Sequence, residues 1–416
     1  MTVARASPLL PARPGRVLLV AVAAGLALSV CRAASEEPAR TEALGAGRHV
    51  VDMRGVRVAI PAGLSRVATI DDGFVEGVMT HLGVISKVVA VGSWSLRREF
   101  RYRFPLPSGA SSEYTQGMNT MLALHPWLRD RPCVTPPEGD VISYESLVNA
   151  RPDLVILRVG DCAVGTNPDV VAGTTRVIES LGLPVVVLHA PSSVRDTGLD
   201  TMRDELRVLG EVFQQARAAR DLAAYLESLD DLVRSRTRGI AESERPAALY
   251  LGLAAGARQA GGAGYAWGVD TAESYILEHL VGARNAYRGA GSRVLLSAEQ
   301  LLALDPDVIF LPTSAGYHPP EELYEAPDFR LLRDLRAVRE RRVYALAWAP
   351  DNCARRLEYP IDMLIMAKGV YPERFRDIRV HQWVLRFYQR LYGADGETAE
   401  MLRSRQWLDW MVRTTF

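Results

Sequence analysis

The stretch TMRDELRVLGEVFQQARAARDLAAYLESLDDLVRSRTRG, Thr201 to Gly239, decides the fold. Leu206, Leu209, Phe213, Ala216, Ala219, Ala223, Leu226, Leu229 and Val233 recur at threes and fours, the stripe of an amphipathic helix. Neither Pro nor Gly interrupts the pattern after Gly210. A continuous helix over this stretch is roughly 50 Å long, more than a small domain is wide. Such a helix connects bodies rather than completing one.

The chain repeats itself on either side. YESLVNARPDLVIL runs from Tyr144 to Leu157, and SAEQLLALDPDVIFL from Ser297 to Leu311. Aligned on Glu145 and Glu299, each reads glutamate, a short leucine-bearing helix, a Pro-Asp turn and a run of branched apolar residues. A second match follows at nearly the same separation, LPVVVLHAP (Leu183 to Pro191) and RVYALAWAP (Arg342 to Pro350). The expected fold is therefore α/β, with two related lobes of parallel-sheet architecture bridged by one long helix. The N-terminal lobe is expected over 49–200, the interlobe helix over 201–239, the C-terminal lobe over 240–380 and a helical tail over 381–416.

With 416 residues the chain has ample material for two cores. Its 49 basic and 49 acidic residues balance, and no basic stripe points to nucleic acid. Arg5, Arg13 and Arg16 precede the apolar run Val17 to Val30, which is short for a bilayer span and reads as part of a signal peptide over 1–34. Cys31 follows in LSVC, which resembles a lipobox, although Val30 stands where Gly, Ala or Ser is usual. Two outcomes stay open: lipidation at Cys31, or cleavage after Ala33 or Ala34 to release a free periplasmic protein. Residues 35–48 read as a flexible tether. Cys133 and Cys162 are close enough in sequence to pair in an oxidising compartment, with Cys353 left over; three unpaired thiols are the alternative.

Between the landmarks, Asp52 to Gly63 reads as a hairpin, RVATI (Arg66 to Ile70) and VVAVGSW (Val88 to Trp94) as strands, and Asp71-Asp72-Gly73 as a turn before a helix. Ser95 to Asp140 shows no period. Strand and helix alternate in both halves, and ligands on such sheets bind beyond the carboxyl ends of the strands. That rule selects Asp71, Asp72, Trp94, Gly160, Asp161 and His189 in the first half. In the second it selects Arg258 to Trp267, including Tyr265, then Tyr317, His318, Trp348, Asn352, Arg355 and Arg356.

The chemistry within that list favours binding. GGAG at Gly261 to Gly264 lacks the Lys and Ser/Thr of a phosphate-binding loop, and HExxH, CxxC and GxSxG are absent. The seven histidines are scattered, so neither catalytic residues nor a protein-built metal site is expected. Ser297 opens a helix, where capping is its ordinary role. Trp267, Trp348, Tyr265, Tyr317 and Tyr359 offer stacking surfaces, and Arg355 and Arg356 offer bidentate donors for carboxylates. The plain alternative makes Trp348 and Tyr359 core and the arginines solvated charges, but arginine opposes the dipole in a helix's first turn.

DMRGVRVAIPAGLSRVATI, a Glu-bearing helix, ESLVNARPDLVIL and AEQLLALDPDVIFL together resemble the periplasmic substrate-binding proteins of ABC importers for iron-siderophores, haem and vitamin B12. The resemblance covers Val51 to Asp377; it departs from the family in the insertion Ser95 to Asp140 and the tail after Ile378. It implies a non-enzymatic, monomeric receptor without a resident cofactor, at the periplasmic face of the inner membrane, held there only if lipid-anchored. A ferric-siderophore or haem-like chelate would bind between the lobes, with Asp72, Trp94, Tyr265, Trp267, Tyr317, His318, Trp348, Asn352, Arg355 and Arg356 as contacts. Cobalamin is the alternative ligand, and a chelate-processing enzyme the alternative class. In the family one glutamate per lobe meets arginines on the permease subunits, a role that falls on Glu145 and Glu299. A single stiff connecting helix implies small lobe motion.

Overall fold

The computed structural model describes residues 47–135, 142–160, 164–191, 198–314, 316–348 and 356–416. The expected signal segment with Cys31 lies outside them, as do Asp161, Cys162, Asn352, Cys353 and Arg355. Lobe one opens with the expected hairpin, β1 (Arg48–Val51) paired antiparallel with β2 (Arg57–Ile60). The Asp52 carboxylate closes its turn by accepting from the Arg54 and Val56 amides, and it accepts from the Val187 amide across the lobe. There follow β3 (Val67–Ile70), α1 (Phe74–His81), β4 (Val88–Ala90), β5 (Phe100–Pro105), β6 (Ser111–Gly117), α2 (Thr120–Leu124), α3 (Tyr144–Asn149), β7 (Leu154–Val159), α4 (Pro168–Ser180) and β8 (Val185–His189). The sheet order is β4-β3-β7-β8, all parallel. Every residue of β3 and β7 is buried, as expected of strands covered on both faces.

The stretch from Thr201 is not one helix. It forms α5 (Asp200–Val212) and α6 (Ala216–Thr237), broken where Gln214 takes φ 58°. The two fold back on each other: Arg203 pairs with Glu227, and a Cβ on Gly210 would lie 2.6 Å from that of Ala219. Gly210 is there for close approach. The apolar stripe runs unbroken through both helices because both bury the same face, so periodicity alone hides the break. The interlobe helix is α6, 22 residues and so about 33 Å long.

Lobe two contains β9 (Ala247–Gly252), α7 (Ala255–Gln259), β10 (Gly264–Ala266), α8 (Ala272–Tyr275), β11 (Arg284–Asn285), β12 (Val294–Leu296), α9 (Ala298–Leu304), β13 (Val308–Leu311), α10 (Pro320–Glu325), α11 (Arg336–Arg339), β14 (Val343–Ala345) and α12 (Tyr359–Val370). Its sheet runs β12-β10-β9-β13-β14, with β11 also on β9. The β9, β11, β13 and β14 strands are parallel, whereas β10 runs antiparallel to its two neighbours, β9 and β12. The glycine-rich connection from β9 to β10 is too short for a parallel crossover, which takes about a dozen residues or more, so the chain doubles back. The repeat appears as α3-β7 beside β8 and as α9-β13 beside β14.

The tail consists of α13 (Val380–Tyr392), α14 (Gly396–Arg405) and α15 (Trp410–Arg413), and it packs on both lobes rather than one. His81 Nδ1 donates to the Leu391 carbonyl from lobe one. The Trp348 amide donates to the Gln406 carbonyl from lobe two, while Gln406 Nε2 reaches Thr120 Oγ1 at 2.7 Å. Cys133 is a free thiol that donates to the Thr135 carbonyl, not half of a disulfide.

One buried ion pair ties lobe one to α5. Arg158 on β7 is 2% exposed and holds Glu205 bidentately, at 2.6 and 2.9 Å, with Phe74 under its guanidinium at 4.0 Å. Removing one partner of such a pair leaves a buried charge unmatched, at about 3–5 kcal/mol, whereas replacing both with apolar groups is near neutral. Glu205→Ala is therefore expected to lower unfolding free energy by about 3–5 kcal/mol in urea at pH 8, and Glu205→Gln, which keeps an oxygen for Arg158 to donate to, to lower it by less. An Ala variant as stable as wild type would contradict this account.

Candidate functional site

Beyond the carboxyl end of β3, the turn Asp71-Asp72-Gly73 is built from its own side chains. Asp71 Oδ2 accepts from the Gly73 and Val75 amides, and Gly73 takes φ 114°, where a Cβ would press on Asn119. Asp72, 3% exposed, accepts from Ser93 and from Ser95 at 2.5 Å. Its other oxygen takes Arg356 Nη2 at 2.5 Å, from the approach to α12 in lobe two. Two residues expected to face a ligand thus face each other across the lobes. Burial disfavours the Arg356 charge, but Asp72 and Glu358 outweigh it and hold the guanidinium's pKa above its ordinary value. Among the described residues, Arg356 Nε and Nη1, both buried, have no hydrogen-bond partner.

The expected aromatic contacts come together, but mainly with one another. Trp94 of lobe one lies 5.2 Å from Phe100 on β5, Phe100 4.6 Å from Trp348, Trp348 5.4 Å from Trp407 in the tail, and Trp407 4.9 Å from Tyr317. The result is a ladder of rings from lobe to lobe. Tyr102 on β5 donates to the Glu322 carboxylate at 2.8 Å and lies 3.0 Å from His318 Nδ1, while its ring fills the space above Gly316. Phe104 enters the apolar core of lobe two. Trp267 packs edge-on to Tyr250. Trp267, Tyr317, His318 and Trp348 are all interior side chains. Trp94 and Tyr265 remain half-exposed, with Arg98 4.0 Å above the first ring and Arg293 5.2 Å above the second.

The β5–β6 hairpin explains this difference, and it went unread within Ser95 to Asp140. Its signal was present: Phe100, Tyr102 and Phe104 alternate with Arg101 and Arg103 before the Pro107-Ser108-Gly109 turn. Also unread was a cavity of about 250 Å³ against α6, lined by Asp200, Arg203, Glu227, Asp230, Arg234, Tyr275 and Tyr359 among others. It lies where α5 and α6 meet lobe two, and its polar groups are partly matched. The Tyr359 hydroxyl donates to Asp230 at 2.9 Å, and Arg203 pairs with Glu227 and, at 3.5 Å, with Asp200. No group of three or more His, Cys, Asp or Glu among the described residues is arranged to hold a metal ion.

Burial pushes the Asp230 carboxyl up to about 6, and burial pushes Glu205 up to about 7 against the pull of Arg158. Carboxyls raised on folding bind protons more tightly in the folded state. Their contribution to stability is greatest below their unfolded pKa, near 4, and falls as pH rises through about 6–7. The melting temperature of wild type is expected to rise between pH 7.5 and 5.5, and Asp230→Asn with Glu205→Gln to flatten that slope. A slope of opposite sign would contradict the assignment.

The model of the periplasmic binding protein family matches residues 110–348, more than half of the chain. No curated protein sequence matches. Solved structures share the fold at low identity. A periplasmic solute-binding protein from Veillonella parvula DSM 2008 is 19% identical with a TM-score of 0.65, covering 89% of this chain and 99% of its own. The molybdate periplasmic binding protein of a Haemophilus influenzae ABC transporter, bound to molybdate, is 17% identical at 0.60, covering 84% and 98%. A periplasmic haem-binding protein from Roseiflexus sp. RS-1 is 20% identical at 0.51, covering 75% and 100%. No helix among the described residues is long and apolar enough to cross a membrane. Two α/β lobes, one interlobe helix and the family match lead to one statement: this chain belongs to the periplasmic binding protein family.

Proposed function

We propose that this protein captures an anionic metal chelate, a ferric-siderophore or haem-like compound, between its lobes and delivers it to an inner-membrane permease without chemical change. The observation that carries the reading is Arg356: a guanidinium held charged at the lobe junction, with two buried donor nitrogens that no other described residue engages. Such a group favours an anion over the neutral periphery of cobalamin. Trp94 and Tyr265, half-exposed at the strand ends, are the aromatic contacts of this proposal. A second reading rests on volume. The cavity along α6, about 250 Å³, lies below the roughly 300–1,000 Å³ of common ligand pockets. By size a compact oxoanion suits that space better than a bulky chelate, and Arg203 and Arg234 are the groups that would hold it among the carboxylates of Asp200, Glu227, Asp230 and Asp231; a protein of this fold has been solved with molybdate.

Titrating purified protein with ferric-siderophores, haem, cobalamin and molybdate, read by tryptophan fluorescence, separates these readings. One-to-one binding of an anionic metal species without turnover is expected. Binding of cobalamin alone, or formation of product, would overturn the proposal.

Delivery rests on the repeat. Glu145 and Glu299 occupy the first turns of α3 and α9, both are exposed, and Ser143 and Ser297 cap the two helices in the same way. In our reading they meet basic residues on the two permease subunits. Exposed ion pairs are worth about 0–1 kcal/mol each, but like charges brought together cost several. Glu145→Arg with Glu299→Arg is expected to leave ligand affinity unchanged and to reduce uptake by about tenfold or more. Uptake at the wild-type rate would rule the role out.

A further inference from the structure

Each of the two glutamates has an exposed aliphatic side chain three residues on. Val148 follows Glu145 in α3 and is 46% exposed; Leu302 follows Glu299 in α9 and is 36% exposed. Residues three apart in a helix share a face, so each glutamate and its aliphatic partner form one surface stripe. The residue before each, Leu147 or Leu301, is fully buried in its own lobe, which turns the next position to solvent.

A single exposed aliphatic side chain needs no explanation. A matched pair is different. Fold stability asks nothing apolar at either place, and Asn149, Gln300 and Ala303 show that the same helices carry polar or small residues at their other exposed positions. Elsewhere in the two helices the residues differ: Ser146 stands opposite Gln300, and Asn149 opposite Ala303. What both helices present is a serine cap, a carboxylate and a branched apolar group one turn along.

We infer that Val148 and Leu302 form the apolar half of a two-point docking surface, each covered by an apolar side chain beside the basic residue that meets the neighbouring glutamate. The inference rests on the delivery role proposed for Glu145 and Glu299. The partner is a membrane-embedded protein with two like subunits, because two matched patches on two related lobes call for two matched receptors. An anionic lipid surface does not fit a patch centred on a carboxylate. The two halves of the contact also respond differently to salt. Ion pairs between exposed groups are screened, whereas apolar burial is not. The aliphatic pair therefore keeps the complex together at high ionic strength, and the glutamates orient it.

The test places a photo-crosslinking residue, p-benzoylphenylalanine, singly at positions 145, 148, 299 and 302 of the full chain in its native cell, with position 170 as an exposed control on α4. Adducts from 148 and 302 to copies or homologues of one polytopic membrane subunit, absent from 170, are expected. Val148→Asp with Leu302→Asp should cut adduct yield from position 145 by about tenfold, because it places carboxylates in a desolvated contact, and wild-type adducts should persist in high salt. Adducts from 145 and 299 but none from 148 and 302 would overturn this inference and leave the glutamate docking standing. No subunit adduct from any of the four would take both down. Adducts to lipid alone from 148 and 302 would replace the protein partner with the membrane surface and so overturn the inference.

Discussion

Asp72 and Arg356 stand 284 residues apart in sequence and meet in the interior, one from each lobe. A buried charge left alone is expensive, so each of these residues requires the other in place. Their contact sets where the β3 turn of lobe one lies against the start of α12 in lobe two. The same turn reaches further, because Asp71 lies 3.7 Å from Arg158, and Arg158 grips Glu205 on α5. One polar chain thus runs from lobe two through the turn to the helix pair that links the lobes. Such networks specify an arrangement more than they stabilise it.

Apolar packing supplies the stability around that chain. The β5–β6 hairpin leaves lobe one and buries Phe104 in the core of lobe two, while the tail wedges Trp407 between Trp348, Tyr114 and Tyr317. Burying each large aromatic ring is worth about 1.5–3 kcal/mol before packing. Lobes joined by α6, by a hairpin and by a tail have three connections to deform, not one. That arrangement favours small adjustments over wide hinge closure.

The same packing changes what the strand ends offer a ligand. Tyr317, His318 and Trp348 stand where the strand-end rule places binding residues, but their surfaces are taken by the hairpin and the tail. Space remains along α6, among charges on α5 and α6 and the hydroxyls of Tyr275 and Tyr359, and also beside Val159 and His189 in lobe one and beside Tyr114 and Trp407 at the tail. Arg356 was singled out as a cation awaiting an anion, and its first anion belongs to the protein itself.

The sequence by itself determined the pattern of the fold. Periods of two and 3.6 mark the strands and helices, and two ordered matches around one long apolar stripe require two like lobes and a connector. Local turn chemistry was legible too, as at Ser297, because a cap depends on neighbours only three residues away. Contacts between distant segments were decided by the tertiary structure. Periodicity reports which face of an element is covered but not by what. A stripe therefore looks the same whether a helix runs on or folds back at Gln214, and a tryptophan at a strand end looks the same whether a ligand or Trp407 covers it. Charges are harder still to read, since the worth of Arg356 is set by a carboxylate on the other lobe and by the burial of both, and neither is written near it in the chain.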